Sequence, residues 1–300
     1  MTAPARLLAK SSRNPDAPRQ AETLPGHLGS VVAAVRTTFR VAGTVLLDAM
    51  GLTNSADAAG LEAALLRAAI LHDIGKANSH FQEAVRGNTP QALRHDWLSA
   101  WLVLARPELR EWLFNASSDR WRDTVIAAVA GHHLKFEDGS VLEWRSGNGA
   151  PLTVYSQHPD FKACLQLACR ELALDTPPEL EPTTMENSGS RLLPELRDWL
   201  ADLPDADELQ SRLAALVKAL LISADATGSA LPRQGVDVAD WLESVLTRVC
   251  SAQDLQTISK VRLKGSAPRR FQEAVAGSTG RVTFARAGCG TGKTVAAYMW

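Results

Sequence analysis

The sequence predicts a mainly α protein, followed at its end by the incomplete start of an α/β lobe. Three observations carry that expectation. Apolar residues recur at three-to-four spacing along most of the 300 residues, with good helix formers between them. Few of the intervening stretches read as strand. After residue 259 a short β-like run leads into a glycine-rich loop and then a helix-like segment, which is the order of a phosphate-cradling loop.

In chain order, the helical pattern covers residues 27–50, 61–76, 96–104, 119–131, 159–174, 192–200, 207–226 and 238–252. Residues 134–158 break it: Gly139, Gly147 and Gly149 punctuate Val141, Leu142, Leu152, Val154 and Tyr155, as in a long loop or a small hairpin. Residues 175–190 (DTPPELEPTTMENSGS) read as an exposed connector. Residues 281–287 (RVTFARA) read as a strand, GCGTGKT as the loop, and VAAYMW as the opening of a helix. The expected domains are therefore 1–259, helical, and 260–300, a linker with the beginning of a second domain.

Charge divides the chain at the same place. Overall, 32 Lys and Arg face 33 Asp and Glu. From Lys260 onward, eight basic residues face Glu273 alone, so the first 259 residues hold 24 basic against 32 acidic groups, a net charge of −8. A body that acidic does not bind a polyanion by bulk charge; local Lys and Arg or bound cations must do it. Composition, at 45% apolar and 22% charged, excludes disorder, collagen-like repeats and a small disulfide scaffold. No run of 18 uninterrupted apolar residues marks a membrane span, and the N-terminus lacks the apolar run of a signal peptide. Cys164, Cys169, Cys250 and Cys289 show no CxxC spacing. The expectation is a reduced, cytoplasmic protein with no membrane partner.

The chemistry-bearing residues are histidines and aspartates. His27 lies in LPGHLGSV, His72 and Asp73 in HDIGK, His95 in RHDWLSA, and His132 with His133 in AGHHLKF. Imidazole and carboxylate together suit borderline ions such as Mn, Fe, Co, Ni or Zn, and a cluster without cysteine argues against a structural zinc. His72 and Asp73 are adjacent, about 100° apart on a helix, so both reach one site only where that helix ends or bends. Gly75 offers such an ending, and Gly131 does the same before the HH pair. Asp225 closes an apolar helix carrying Val217, Leu220 and Leu221, a place where a carboxylate without a cation would be costly. Asp96 suits the start of a helix, His80 and His158 read as surface or loop residues, and Trp97 and Trp101 read as core rather than as base-stacking platforms.

These motifs resemble the HD metal-dependent phosphohydrolase superfamily, and more closely the HD nuclease domain of the CRISPR-associated nuclease-helicase of type I interference systems. The resemblance implies an HD-type helical bundle binding two divalent transition metals, Mn, Fe, Co or Ni foremost, with Mg or Zn as alternatives. It implies that His27, His72, Asp73 and Asp225 hold one ion, and that His95, His132 and His133 hold the other, with Asp73 bridging. Lys76 would meet the scissile phosphate, and two ions would clamp the phosphodiester and activate water, with no protein nucleophile needed. The expected substrate is single-stranded DNA, and the expected partner is a CRISPR surveillance complex with its bound crRNA. An HD phosphohydrolase acting on nucleotides or cyclic dinucleotides, and a non-catalytic docking module, are the alternatives.

AGCGTGKT resembles the phosphate loop of superfamily 2 helicases. That implies nucleotide contacts from Gly290, Gly292, Lys293 and Thr294, with Gln272 reading adenine. ATP and Mg are expected as cofactors only of a full-length protein. The chain is expected to be the N-terminal piece of a longer one and to have no ATPase or unwinding activity of its own, since the acidic and arginine residues that complete such a site come from later strands.

Overall fold

A helix that is apolar on every side belongs in an interior, and residues 55–71 obey that rule: Ala64, Leu65, Leu66 and every residue from Arg67 to Leu71 are buried. The computed structural model describes residues 3–52, 54–87, 93–115, 119–133, 151–185, 194–202, 207–280, 283–288 and 290–300. They fall into two compact units, 1–245 and 246–300.

The first unit contains α1 (Leu24–Met50), α2 (Ser55–Leu71), α3 (Ser79–Ala84), α4 (His95–Ala105), α5 (Pro107–Phe114), α6 (Asp119–Ala130), α7 (Pro159–Leu172), α8 (Pro194–Asp202) and α9 (Glu208–Ala230). Helix α10 (Val238–Leu246) closes it. Helix α2 is the axle, packed by α1, α6, α7 and α9, while α1 and α9 lie along each other. A buried Leu or Ile contributes about 1.5–3 kcal/mol. Leu61, Leu65, Leu66, Ile70 and Leu71 together therefore outweigh the cost of enclosing Arg67 in the same helix. That guanidinium is partnered as well: Nε donates to the Leu113 carbonyl (2.7 Å), and the group lies 5.4 Å from the centre of the Phe114 ring. By length and composition alone, α1 and residues 208–234 would pass as membrane spans. Their apolar stripes face each other and α2, which is how core helices behave.

The mainly α expectation holds, and several local readings change. Helix α2 begins six residues before the expected start, where Asn54 caps it by accepting from Asp57 N (2.7 Å). The expected helix 238–252 ends early, at Leu246, and a new helix starts at Ala252, where Ser251 and Asp254 form a capping box. Helix α5, absent from the sequence reading, opens on Pro107 at its first turn. Residues 152–154 are a strand, β1 (Leu152–Val154), whose antiparallel partner among the described residues, β2 (Thr183–Met185), comes from the supposed connector, with Thr153 opposite Thr184. Residues 134–150 and 186–190 lie outside the described residues.

In the second unit, α13 (Lys293–Met299) packs on α11 (Ala252–Leu263) and α12 (Arg270–Ala276). Residues 283–288 are not a strand; a strand exists only through a neighbour, and among the described residues none pairs with them.

Candidate metal centre

The site is built where α2 stops. His72 is its C-cap, Asp73 leaves the helix at φ −114° and ψ 1°, and a 3-10 turn, Ile74–Lys76, follows. Leaving the helix at this point lets two adjacent side chains face one place. Gly75 contributes by a different route from the one expected. It has no left-handed backbone; instead α4 crosses directly over it. A β-carbon there would overlap the His95 carbonyl oxygen and sit 2.6 Å from Ser99 N. Ser99 fixes the crossing: its fully buried hydroxyl accepts from Gly75 N (2.8 Å) and donates to the His72 carbonyl (2.9 Å). Nothing in the sequence marked Ser99, because its role depends on the approach of two helices. Ser99→Ala leaves the Gly75 N–H buried without a partner, so a loss of about 1–3 kcal/mol is expected, read by urea unfolding.

All seven expected donors converge. Asp73 lies at the centre, 1% exposed, and its two oxygens face different groups. Oδ2 is 3.1 Å from His27 Nε2 and 3.3 Å from His72 Nε2; Asp225 Oδ1 is in turn 3.2 Å from His27 Nε2 and 3.8 Å from His72 Nε2. Oδ1 is 3.3 Å from His95 Nε2 and 3.8 Å from His132 Nε2, and His133 Nε2 lies 2.9 Å from His95 Nε2. Donor atoms of His27, His72, Asp73 and Asp225 lie within 4.8 Å of one another, and so do those of His95, His132 and His133. The arrangement is two donor sets with one shared carboxylate.

The histidine tautomers test whether this set fits metal ions. His72 Nδ1 is 2.8 Å from the Ala69 carbonyl, and His132 Nδ1 is 2.8 Å from the Val129 carbonyl. A carbonyl only accepts, so each Nδ1 carries the proton, and each ring in its neutral, metal-binding form turns an Nε2 lone pair inward. Both of these Nε2 atoms are buried without a hydrogen-bond partner, and so is Asp73 Oδ1. Lone pairs aimed at a carboxylate need a cation between them, and a backbone carbonyl holding the far nitrogen is the support that metal-bound imidazoles receive. The donors present fit divalent metals.

Burial would lower the His72 pKa, but the Asp73 and Asp225 carboxylates raise it to about 9, so a metal bound at Nε2 takes the place of a proton. Burial alone would raise the Asp73 pKa, but the positive charges of His72 and Lys76 and the hydrogen bond from His27 hold it well below the ordinary carboxylate range. Asp225 is held down similarly, against burial, by the hydrogen bond from His27 and the positive charge of His72. Burial pushes His95 down to about 4, and His132 and His133 also fall below the ordinary imidazole value through burial. These three rings are therefore neutral at pH 7, the state in which imidazole binds metal. Lys76, expected to meet a phosphate, places Nζ 2.5 Å from Asp73 Oδ2 and 5.3 Å from the centre of the Phe81 ring.

Asp225 is aligned by the contact of α9 with α1. At Gly228, one turn beyond Asp225, a β-carbon would lie 3.0 Å from both Val31 N and Val31 Cγ2, one turn beyond His27. A bulky residue must push the helices apart at that level. Gly228→Leu is expected to weaken the first ion by about tenfold or more, in keeping with the effect of disturbing ligand support, and to leave the second unchanged, read by metal titration.

Other expectations resolve as follows. Asp96 does sit in the first turn of α4, and it is fully buried against Arg94 (2.5 Å). Trp97 and Trp101 are core. His80 and His158 are not surface residues: both are buried, and His158 caps α7, its Nδ1 accepting from Asp160 N (3.0 Å), because the neighbouring segments fold over them. Cys164 is buried and Cys250 exposed, while Cys289 lies outside the described residues. In the second unit, Gly290 and Gly292 adopt φ of 72° and 88°, the left-handed turn the loop needs. Lys293 Nζ folds back on the carbonyls of Ala287 (2.9 Å) and Gly288 (2.8 Å). Thr294 is exposed in the first turn of α13. The Gln272 amide is bonded within the unit, to Gly292 O and Arg269 N.

A helical bundle that gathers a His–Asp pair, four further histidines and a late aspartate around one shared carboxylate is an HD-domain protein by class. The chain belongs to the Cas3 HD-domain family: residues 8–231 match the family model described as "Cas3, HD domain". It is also 39% identical, over 98% of its length, to a protein of Myxococcus xanthus named "Putative CRISPR-associated nuclease/helicase Cas3", of which it spans 40%. No solved structure matches.

Proposed function

We propose that this chain is the nuclease module of a type I CRISPR interference system, hydrolysing phosphodiester bonds of single-stranded DNA. The observation that carries the reading is the buried Asp73 carboxylate, whose two oxygens face two separate donor sets. His27, His72, Asp225 and Asp73 Oδ2 would hold one divalent ion, and His95, His132, His133 and Asp73 Oδ1 the other. Two such ions, when bound, lower the pKa of water and offset charge on the phosphodiester, which reconciles an acidic domain with a polyanionic substrate. Carbonyls of Ala69 and Val129 keep the His72 and His132 lone pairs aimed inward. Lys76 keeps Asp73 charged and turns its remaining donors toward an incoming phosphate. The mixed nitrogen and oxygen donors favour Mn, Fe, Co or Ni over Mg. A surveillance complex with bound crRNA would deliver the strand, and ATP with Mg would serve the helicase of a full-length protein through Lys293 and Thr294, in the cytoplasm.

The test is cleavage of end-labelled single-stranded DNA, beside duplex DNA, single-stranded RNA, nucleotides and cyclic dinucleotides, with Mn, Co, Ni, Zn, Mg or chelator. Chelator-sensitive cutting of single-stranded DNA is the expected result. Hydrolysis confined to nucleotides or cyclic dinucleotides would transfer the site to small-molecule chemistry. No hydrolysis with any ion would leave a docking role.

A further inference from the structure

The N-terminal segment is held against the centre from three sides. Leu24 N donates to Leu7 O (2.8 Å) and Ala9 N to Glu22 O (2.9 Å), so residues 7–9 run antiparallel to the chain entering α1, just ahead of His27. Asp160 accepts from Leu7 N (2.7 Å). Gln82 bonds both polar groups of Leu8, accepting from its N (3.0 Å) and donating to its O (2.9 Å), and the same amide donates to Lys76 O (2.9 Å). One side chain thus ties this segment to the turn that carries Lys76.

Lys10 follows directly. Its Nζ is buried with no hydrogen-bond partner. The ties of residues 7–9 to the chain just ahead of His27 and, through Gln82, to Lys76 O set it beside the metal centre, within electrostatic range of Arg233, Lys76, Asp225 and Asp73. An interior ammonium without a partner is costly, and three anchors on the preceding backbone hold it there. An ammonium has three donors and no acceptor, so the ligand it lacks is an anion with free oxygens.

We propose that Lys10 is a phosphate-gripping residue, its ammonium donating to a non-bridging oxygen of the phosphodiester held at the centre, beside Lys76 and Arg233. The identity of the ligand as a phosphodiester rests on the nuclease reading; the affinity for phosphate does not. Burial, followed by the like charges of Arg233 and Lys76, pushes the Lys10 pKa down to about 8, which leaves the group charged at neutral pH.

The experiment uses the full chain loaded with Mn and titrated calorimetrically with inorganic phosphate. Lys10→Met is expected to weaken phosphate binding by about 10- to 100-fold, the worth of one charge-assisted hydrogen bond. Mn content stays unchanged, Tm holds or rises because a costly buried charge is gone, and Lys10→Arg keeps most of the affinity. On single-stranded DNA the same variant raises KM more than it lowers kcat. Unchanged phosphate affinity in Lys10→Met, phosphate loss that merely follows loss of Mn, or no phosphate binding by the wild type would each overturn the assignment. If Lys10→Met does not fold, Lys10→Gln answers the same question. A wild type that binds phosphate through Lys10 yet cuts no nucleic acid refutes the nuclease reading and leaves this one standing.

Discussion

Asp73→Asn is expected to abolish binding of both metal ions and, on the nuclease reading, to lower phosphodiester cleavage by about a thousandfold, a barrier increase of about 4 kcal/mol. The size of the effect follows from the position of the carboxylate between two donor sets, with Oδ2 toward His27 and His72 and Oδ1 toward His95 and His132. An amide puts an NH2 where one oxygen stood, and an NH2 has no lone pair for a metal. It also removes the only negative charge common to both sets. Plasma mass spectrometry of the purified variant reads the result directly, with circular dichroism confirming the fold, because Lys76 loses its 2.5 Å partner as well. A variant that keeps two equivalents of metal would refute the bridging role.

Gly75→Ala adds one methyl group and is expected to cost about 3 kcal/mol or more, at the upper end of overpacking. In a domain of this size that lowers Tm by roughly 6–12 °C. The methyl group would meet backbone rather than a yielding side chain: the His95 carbonyl oxygen and Ser99 N. Helix α4 must retreat, and His95, the first residue of α4, retreats with it. Affinity for the second ion should therefore fall further than affinity for the first. Differential scanning calorimetry with stepwise Mn titration separates the two effects. An unchanged Tm would show that α4 gives way at no cost.

Most of the metal centre is legible in the sequence because its donors come in local signatures. His72–Asp73 and His132–His133 are adjacent pairs at helix ends, and the step out of the helix that brings such pairs together is a local event. His27 and Asp225 are legible as polar residues within apolar helices. What stays hidden depends on distant approach. Gly75 resembles a helix terminator until α4 is seen crossing it, Ser99 resembles any helical serine, and Lys10 resembles a solvated lysine until Gln82 and Asp160 fasten the preceding residues. The pairing of β1 with β2 is hidden for the same reason, since neither three-residue strand has a periodicity of its own and each exists through the other. In the second unit, the sequence pattern of a strand at 281–287 did not become one among its described residues, as β propensity needs a neighbour to act on.

His27 is contributed by the first long helix of the bundle and Asp225 by α9, almost the whole unit later, and they meet 3.2 Å apart. A polypeptide still emerging from the ribosome has made His27, the HD pair and the HH pair well before it has made the aspartate that completes the first donor set. Synthesis order thus works as an interlock: a chain that ends ahead of α9 has no Asp225 and cannot complete the first donor set.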